Sequence, residues 1–239
     1  MSKPKGVLEQ RKAFIEGSKF LVRAVEKYCN KSEILGIDPA RGSTGWCFLK
    51  PSKKNWIETG NISPPSEGFS KVIYVEKKIR GFYENISPLV VIEGYAMNAR
   101  FGRELAGELG GVLRRLFYYK KSPLLVVSPL TIKAWVKAKS KDQIMLEILD
   151  RYGVKISNND AADAFVLAQV GYAATLMAKE IVKSKIEDPE EIRLFLKEER
   201  YKKNPGLKNL FRYQESSLFK LIMNQGSKVE FFLKNKPEL

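Results

Sequence analysis

The chain has 239 residues, 42 lysines and arginines against 27 acidic residues, and a formal net charge of +15. That balance favours a polyanionic partner, most simply nucleic acid. Histidine is absent altogether, which excludes Ser-His and Cys-His nucleophile systems, His-ligated zinc and the commonest general base. Two cysteines, Cys29 and Cys47, form no CxxC pair, so a disulfide framework or a four-cysteine zinc site is not expected.

The opening "MSKPKGVLEQRKAF" lacks the apolar core of a signal peptide, and no uninterrupted apolar run approaches the ~18 residues of a membrane span. The expectation is a soluble, cytoplasmic protein in a reducing setting, with no membrane partner. Residues 5–30 read as a leading helix, with Val7, Leu8, Phe14, Ile15, Phe20, Leu21 and Val25 at three-to-four spacing. Packing or dimerisation is its expected role.

Three strand signals follow, "EILGID", "TGWCFLK" and "NWIETGNIS". Their short, turn-rich joins predict an antiparallel meander. Residues 66–85 carry helical spacing, and "PLVVIEG" is a buried strand with Glu93 at its C-terminal end. "NARFGRELAGELGGVLRRLFYYKK" reads as a helix in spite of Gly107, Gly110 and Gly111. Glycine inside a helix costs about 1 kcal/mol against alanine, so the three predict close approach of another backbone, or a kink.

"SPLLVVSP" is the next strand, and Ser128-Pro129 starts a helix. In "SKDQIMLEIL", Ser140 and Gln143 have the spacing of a capping box. A long, small-residue-rich helix begins near Asn159, and beyond Lys185 charge runs mix with aromatics. The expected organisation is an α/β core over residues 31–185, an N-terminal helical extension over 1–30 and a basic C-terminal extension over 186–239.

Carboxylates sit at the boundaries of these elements. Asp38 ends one strand, Glu93 ends another, and Asp160 and Asp163 share a face in the first turn of the long helix. Each alone is readable as a turn cap, a dipole partner or a solvated side chain. Taken together they read differently, because strand ends on one edge of an α/β sheet converge and a helix start can close the cluster. Like charges so gathered hold protons or bind cations. Mg²⁺, with Mn²⁺ as substitute, is the expected cofactor, since both prefer oxygen ligands and leave room for phosphate. With a +15 charge, the cluster points to two-metal phosphodiester hydrolysis, which needs no histidine.

The order of these motifs, "GIDP…TG", "VVIE", "SP…IK", "SKDQI" and "DAADA", resembles the RuvC-type Holliday-junction resolvases of the RNase H-like superfamily. The resemblance runs from about Ile34 to Ala174. It implies an RNase H-like α/β core, a mixed five-stranded sheet flanked by helices, and a homodimeric endonuclease that cuts four-way DNA junctions by paired nicks. It implies metal binding by Asp38, Glu93, Asp160 and Asp163, and contact of Lys141 with the scissile region. Lys133 in "TIKAW" and Lys139 in "VKAKS" are implied DNA contacts. The segment "GYAMNARF" matches the place of a junction-centre loop, where Tyr95 or Phe101 would stack on a base and Arg100 and Arg103 would meet phosphates.

The chain departs from the family pattern in having "DPA" in place of "DPG", and "VKAKS" in place of a glycine-containing loop. Its two extensions are similar to those of the enlarged phage and viral versions. Competing readings are an RNase H-like nuclease for flaps, forks or RNA–DNA hybrids, a non-catalytic junction-binding protein, and, more remotely, an actin-like ATPase or sugar kinase.

Overall fold

The structure is a computed structural model that describes residues 5–29, 33–40, 42–51, 57–65, 68–82, 87–94, 103–136, 138 and 140–185. The chain divides into two compact units. One comprises residues 1–25 and 172–239, and the other residues 26–171. In the first unit, helix α1 (Lys5–Tyr28, shared with the second at its end) buries Ile15, Leu21, Val22 and Val25. Ala173, Ala174, Met177, Ala178 and Ile181, in the second half of helix α6 (Asn159–Lys183), are buried as well.

The second unit is built on a five-stranded sheet. Strands β1 (Ile34–Pro39), β2 (Thr44–Leu49) and β3 (Ile57–Ile62) form the expected antiparallel meander. After helix α2 (Phe69–Gly81), β4 (Leu89–Glu93) lies parallel to β1. Helix α3 (Arg103–Tyr119) returns the chain to β5 (Leu124–Val127), which is parallel to β4. The strand order is β3-β2-β1-β4-β5, a mixed five-stranded sheet flanked by helices, as expected. Helices α4 (Pro129–Val136) and α5 (Lys141–Tyr152) precede α6. Cys29 and Cys47 are both free thiols.

Alternation along the strands fixes which side chains meet which helices. Leu35 and Ile37 of β1 and Val90 and Ile92 of β4 enter one core with Val72, Val75 and Ile79 of α2 and Leu109, Leu113 and Phe117 of α3. The residues between them, Gly36, Asp38, Val91 and Glu93, therefore lie on the opposite face. That face receives the first half of α6. A Cβ on Gly36 would stand 2.1 Å from the Ala164 carbonyl oxygen, and one on Gly171 would stand 2.3 Å from Val91 Cγ2. Glycine on both sides of the contact lets the helix backbone lie almost on the strand. In α6, Asn159–Lys183 has the length and hydropathy of a membrane span, but 89% of its apolar window is buried inside the protein. It behaves as a core helix.

Two of the three α3 glycines, Gly107 and Gly111, do not do what their number predicts. The helix runs unbroken from Arg103 to Tyr119, and a Cβ on Gly107 or Gly111 would meet nothing within 4 Å. Among the described residues no backbone approaches this face. Gly111→Ala is therefore expected to raise stability by up to about 1 kcal/mol, the helix-propensity difference, read as a higher denaturation midpoint. A lower midpoint would mean that another surface lies against the helix there.

Candidate functional site

Parallel register carries the first two carboxylates to one level. Ile37 pairs with Ile92, so the next residues, Asp38 and Glu93, end their strands side by side and on the same face. Asp38 is only 4% exposed, yet its carboxyl hydrogen-bonds to Glu93. Burial holds the Asp38 carboxyl well above the ordinary carboxylate range; the Glu93 hydrogen bond and the charges of Glu93 and Asp160 push it further up, and Lys141 opposes them. Asp38 thus resides in the shared field of carboxylates from two other elements.

The third element is the start of α6. Asn158 caps it, its Oδ1 accepting hydrogen bonds from the backbone N–H of Asp160 (2.9 Å) and of Ala161 (3.1 Å). This orients the first turn, and the Ser43 hydroxyl, from the turn between β1 and β2, donates to Asp160 Oδ2. Close approach is again made possible by glycine. Gly45, the register partner of Asp38, sits so near that a Cβ would stand 1.9 Å from the Asp160 carbonyl oxygen. The β1–β2 turn and the helix start are in effect one assembly.

Lys141 opens α5, where the Ser140 hydroxyl accepts from the Gln143 N–H at 3.3 Å, the first half of the expected capping box. Its ammonium lies 3.9 Å from Asp160 Oδ1 and 3.9 Å from Asp163 Oδ2. With its side chain 57% exposed, against 21% for Asp160 and 14% for Asp163, Lys141 is the solvent-facing member of the group. Exposed pairs of this length contribute little stability, about 0–1 kcal/mol. The position of the charge matters more here than its pairing energy.

All four carboxylates and Lys141 therefore belong to one edge of one sheet, the C-terminal edge of β1 and β4. The donors are all oxygens, which suits a hard divalent cation such as Mg²⁺ or Mn²⁺. Among the described residues, no group of three or more acidic or cysteine side chains is arranged to hold an ion as it stands. Asp38 is engaged with Glu93, while Asp160 and Asp163 lie beside Lys141. The donor set fits an ion by its chemistry. Ion binding would draw on carboxylates now engaged with one another and with Lys141.

The remaining sequence candidates are less fully placed. Lys133 lies on α4 and Arg103 opens α3, but their side chains are outside the described residues, as are Lys139, Arg100, Tyr95 and Phe101 altogether. Two residues that sequence reasoning passed over, Ser43 and Asn158, join the site, and Gly45 of the "TG" motif gains a packing role in it. The signal for Asn158 was present, since Asn directly before an apolar helix is a cap. Nothing local marked Ser43, whose partner lies 117 residues away.

No protein-family model matches the chain, and no curated protein matches it. Similar solved structures include RuvC of Thermus thermophilus, at 16% identity and TM-score 0.48, covering 59% of this chain and 95% of that one. A second is T. thermophilus RuvC in complex with a Holliday junction substrate, at 20% identity and TM-score 0.48, covering 59% and 94%. A third is the yeast mitochondrial Holliday junction resolvase Ydc2, at 17% identity and TM-score 0.46, covering 74% and 96%.

Proposed function

We propose that the chain is a metal-dependent, structure-selective endonuclease that resolves four-way DNA junctions by paired nicks, acting as a homodimer. The observation that carries the reading is the common field of Asp38, Glu93 and Asp160, three carboxylates from three elements, with the Asp38 carboxyl pushed well above its ordinary range by burial, by the Glu93 hydrogen bond and by the neighbouring charges. A purely structural edge has no reason to bury an aspartate against two other acids, because that arrangement costs stability at neutral pH. Functional sites are where such costs are retained.

Asp38, Glu93, Asp160 and Asp163 are the residues that would hold Mg²⁺ or Mn²⁺, and the ions would supply an activated water and charge stabilisation at the phosphate. The chain's own groups have separable tasks. Ser43 and Asn158 hold Asp160 in place from opposite sides, one on its carboxylate and one on its backbone N–H. Lys141, exposed beside Asp160 and Asp163, offers a positive charge to the phosphate that enters the edge. The start of α6 adds the positive end of a helix dipole. The +15 net charge raises the local concentration of DNA and makes affinity fall steeply with salt.

A homodimer follows from the symmetry of the substrate, since two symmetric strands need two copies of one site. The discriminating experiment compares a synthetic four-way junction with flap, fork and RNA–DNA hybrid substrates at equal concentration. Preferential cutting of the junction supports resolution. Preferential cutting of the hybrid or flap would replace it with another nuclease activity on the same carboxylates.

A further inference from the structure

The edge of the sheet opposite the carboxylates has a different chemistry. Helices α2 and α3 pack on the same sheet face and both run back from the carboxylate edge, so their C-termini meet where β4 and β5 begin. The 17 residues of α3 separate the two edges by about 25 Å at a rise of ~1.5 Å per residue. At the far end stand Lys77, Lys78 and Arg80 of α2, then Arg115, Tyr118 and Tyr119 of α3, with Lys120 and Lys121 directly after.

Arg80 is neutralised by Glu76, and Lys78 lies over the Tyr74 ring, 5.6 Å from its centroid. Lys77, Lys120 and Lys121 have no acidic partner among the described residues. Glu33, at the same edge, is 5% exposed and offers little to solvent. The helix macrodipole explains cations near a C-terminus, but not what accompanies them. Tyr119 is 61% exposed and Tyr118 43%. Their rings meet edge-on with centroids 5.9 Å apart, and the Arg115 guanidinium lies 5.4 Å from the Tyr119 centroid.

Solvent-exposed aromatic rings at the same edge as cations that have no acidic partner among the described residues match one partner chemistry closely. Phosphates answer the lysines, and unstacked bases answer the rings. A regular duplex offers phosphates but keeps its base faces covered. We propose that this edge is a second nucleic-acid surface, separate from the carboxylate edge, that takes a stretch of unpaired DNA, with Lys77, Lys120 and Lys121 on phosphates and Tyr119 against a base. The surface is independent of metal chemistry, so the nuclease reading and this one fail separately.

The test is fluorescence anisotropy of the full-length protein with labelled oligothymidylate and with a duplex of equal length, in the presence of EDTA so that nothing is cut. Tyr119→Ala is expected to weaken single-strand binding about tenfold, the size of one lost base–aromatic stack, while Tyr119→Phe retains it. Lys120→Gln with Lys121→Gln is expected to reduce the slope of log affinity against log salt by about 1.4, two phosphates at ~0.7 each. Duplex affinity in Tyr119→Ala should stay within about twofold, because stacking is not used there. Thermal midpoints unchanged from wild type exclude misfolding as the cause. Unchanged single-strand affinity in both variants would overturn the proposal, and equal losses on duplex and single strand in Tyr119→Ala would overturn its assignment to unpaired DNA.

Discussion

Asp38→Asn is expected to lower the rate of junction cleavage by about 10³-fold or more while leaving junction binding intact. The size follows from removing several kcal/mol of charge stabilisation at the reacting phosphate, at a factor of ten per ~1.4 kcal/mol. Binding survives because affinity for DNA rests on phosphate contacts spread over a basic surface rather than on one acid. Single-turnover cleavage and a gel-shift titration on the same junction separate the two. An unchanged cutting rate would remove Asp38 from the chemistry.

The same substitution carries a second, opposite-signed consequence. The folded-state pKa of Asp38 is raised, by burial first and by Glu93 and Asp160 next. Its contribution to stability is therefore fully present below the unfolded carboxylate value, about 3.9, and is lost as pH rises through the folded value. Without divalent ions, wild type should lose thermal stability as pH increases from the acid range toward neutrality, and Asp38→Asn should lose less. At neutral pH in EDTA the variant is expected to be the more stable protein. Adding Mg²⁺ should raise the wild-type midpoint more than that of the variant, since bound cations stabilise the state that holds them. A variant less stable than wild type at neutral pH in EDTA would mean that the Asp38 carboxyl is not under like-charge strain.

Gly45→Ala is the other change with a large expected effect. The added methyl would lie 1.9 Å from the Asp160 carbonyl oxygen, 2.2 Å from its carbonyl carbon and 2.9 Å from the Ala161 nitrogen. These are backbone atoms, which have no rotamer to escape through. Either β2 or the start of α6 must move, at a cost of about 1–3 kcal/mol or more. Displacing Asp160 by about 1 Å should reduce cleavage about 10²-fold even where the chain remains folded. Gly36→Ala is the comparison, because its methyl would strike the same helix further along, at Ala164 and Ala168, rather than at Asp160 itself. Both should unfold at lower denaturant, but Gly45→Ala should lose more activity per unit of lost stability. A Gly45→Ala protein with wild-type midpoint and rate would contradict the close approach of α6 to β2.

These two glycines also show where sequence reading stopped. The strands were legible because apolar runs and turn residues sit next to one another, and the sheet follows once β1 to β3 form a meander and β4 and β5 each return through a helix. The four carboxylates were legible because each marks an element boundary, a local pattern. What a glycine touches is not local. Gly36 and Gly45 belong to the "GIDP…TG" motif, but nothing in it tells that each must let a helix backbone pass, whereas the three glycines of α3 invited an explanation by close packing that the described residues do not provide at Gly107 and Gly111. Ser43 and Asp160 are joined only by the tertiary fold, and a hydroxyl in a turn carries no sign of its distant acceptor.

The capping residues are an intermediate case. Ser140 was readable with Gln143, and its hydroxyl does accept the Gln143 N–H. Asn158 had the same kind of signal but was overshadowed by the acids that follow it. Its Oδ1 fixes the backbone of Asp160, so a helix cap here is also part of the site. The bland reading of a cap and its functional reading are the same contact.

The proposed activity is symmetric cutting of branched DNA at the carboxylate edge. The most direct measurement is a strand-by-strand cleavage map of a fixed synthetic four-way junction, incubated with wild-type protein and Mg²⁺ or Mn²⁺. The expected result is paired nicks at symmetric positions on two opposing strands, dependent on the ion and absent with Asp38→Asn. No nicks with either ion, or nicks confined to one strand without a symmetric counterpart, would contradict it.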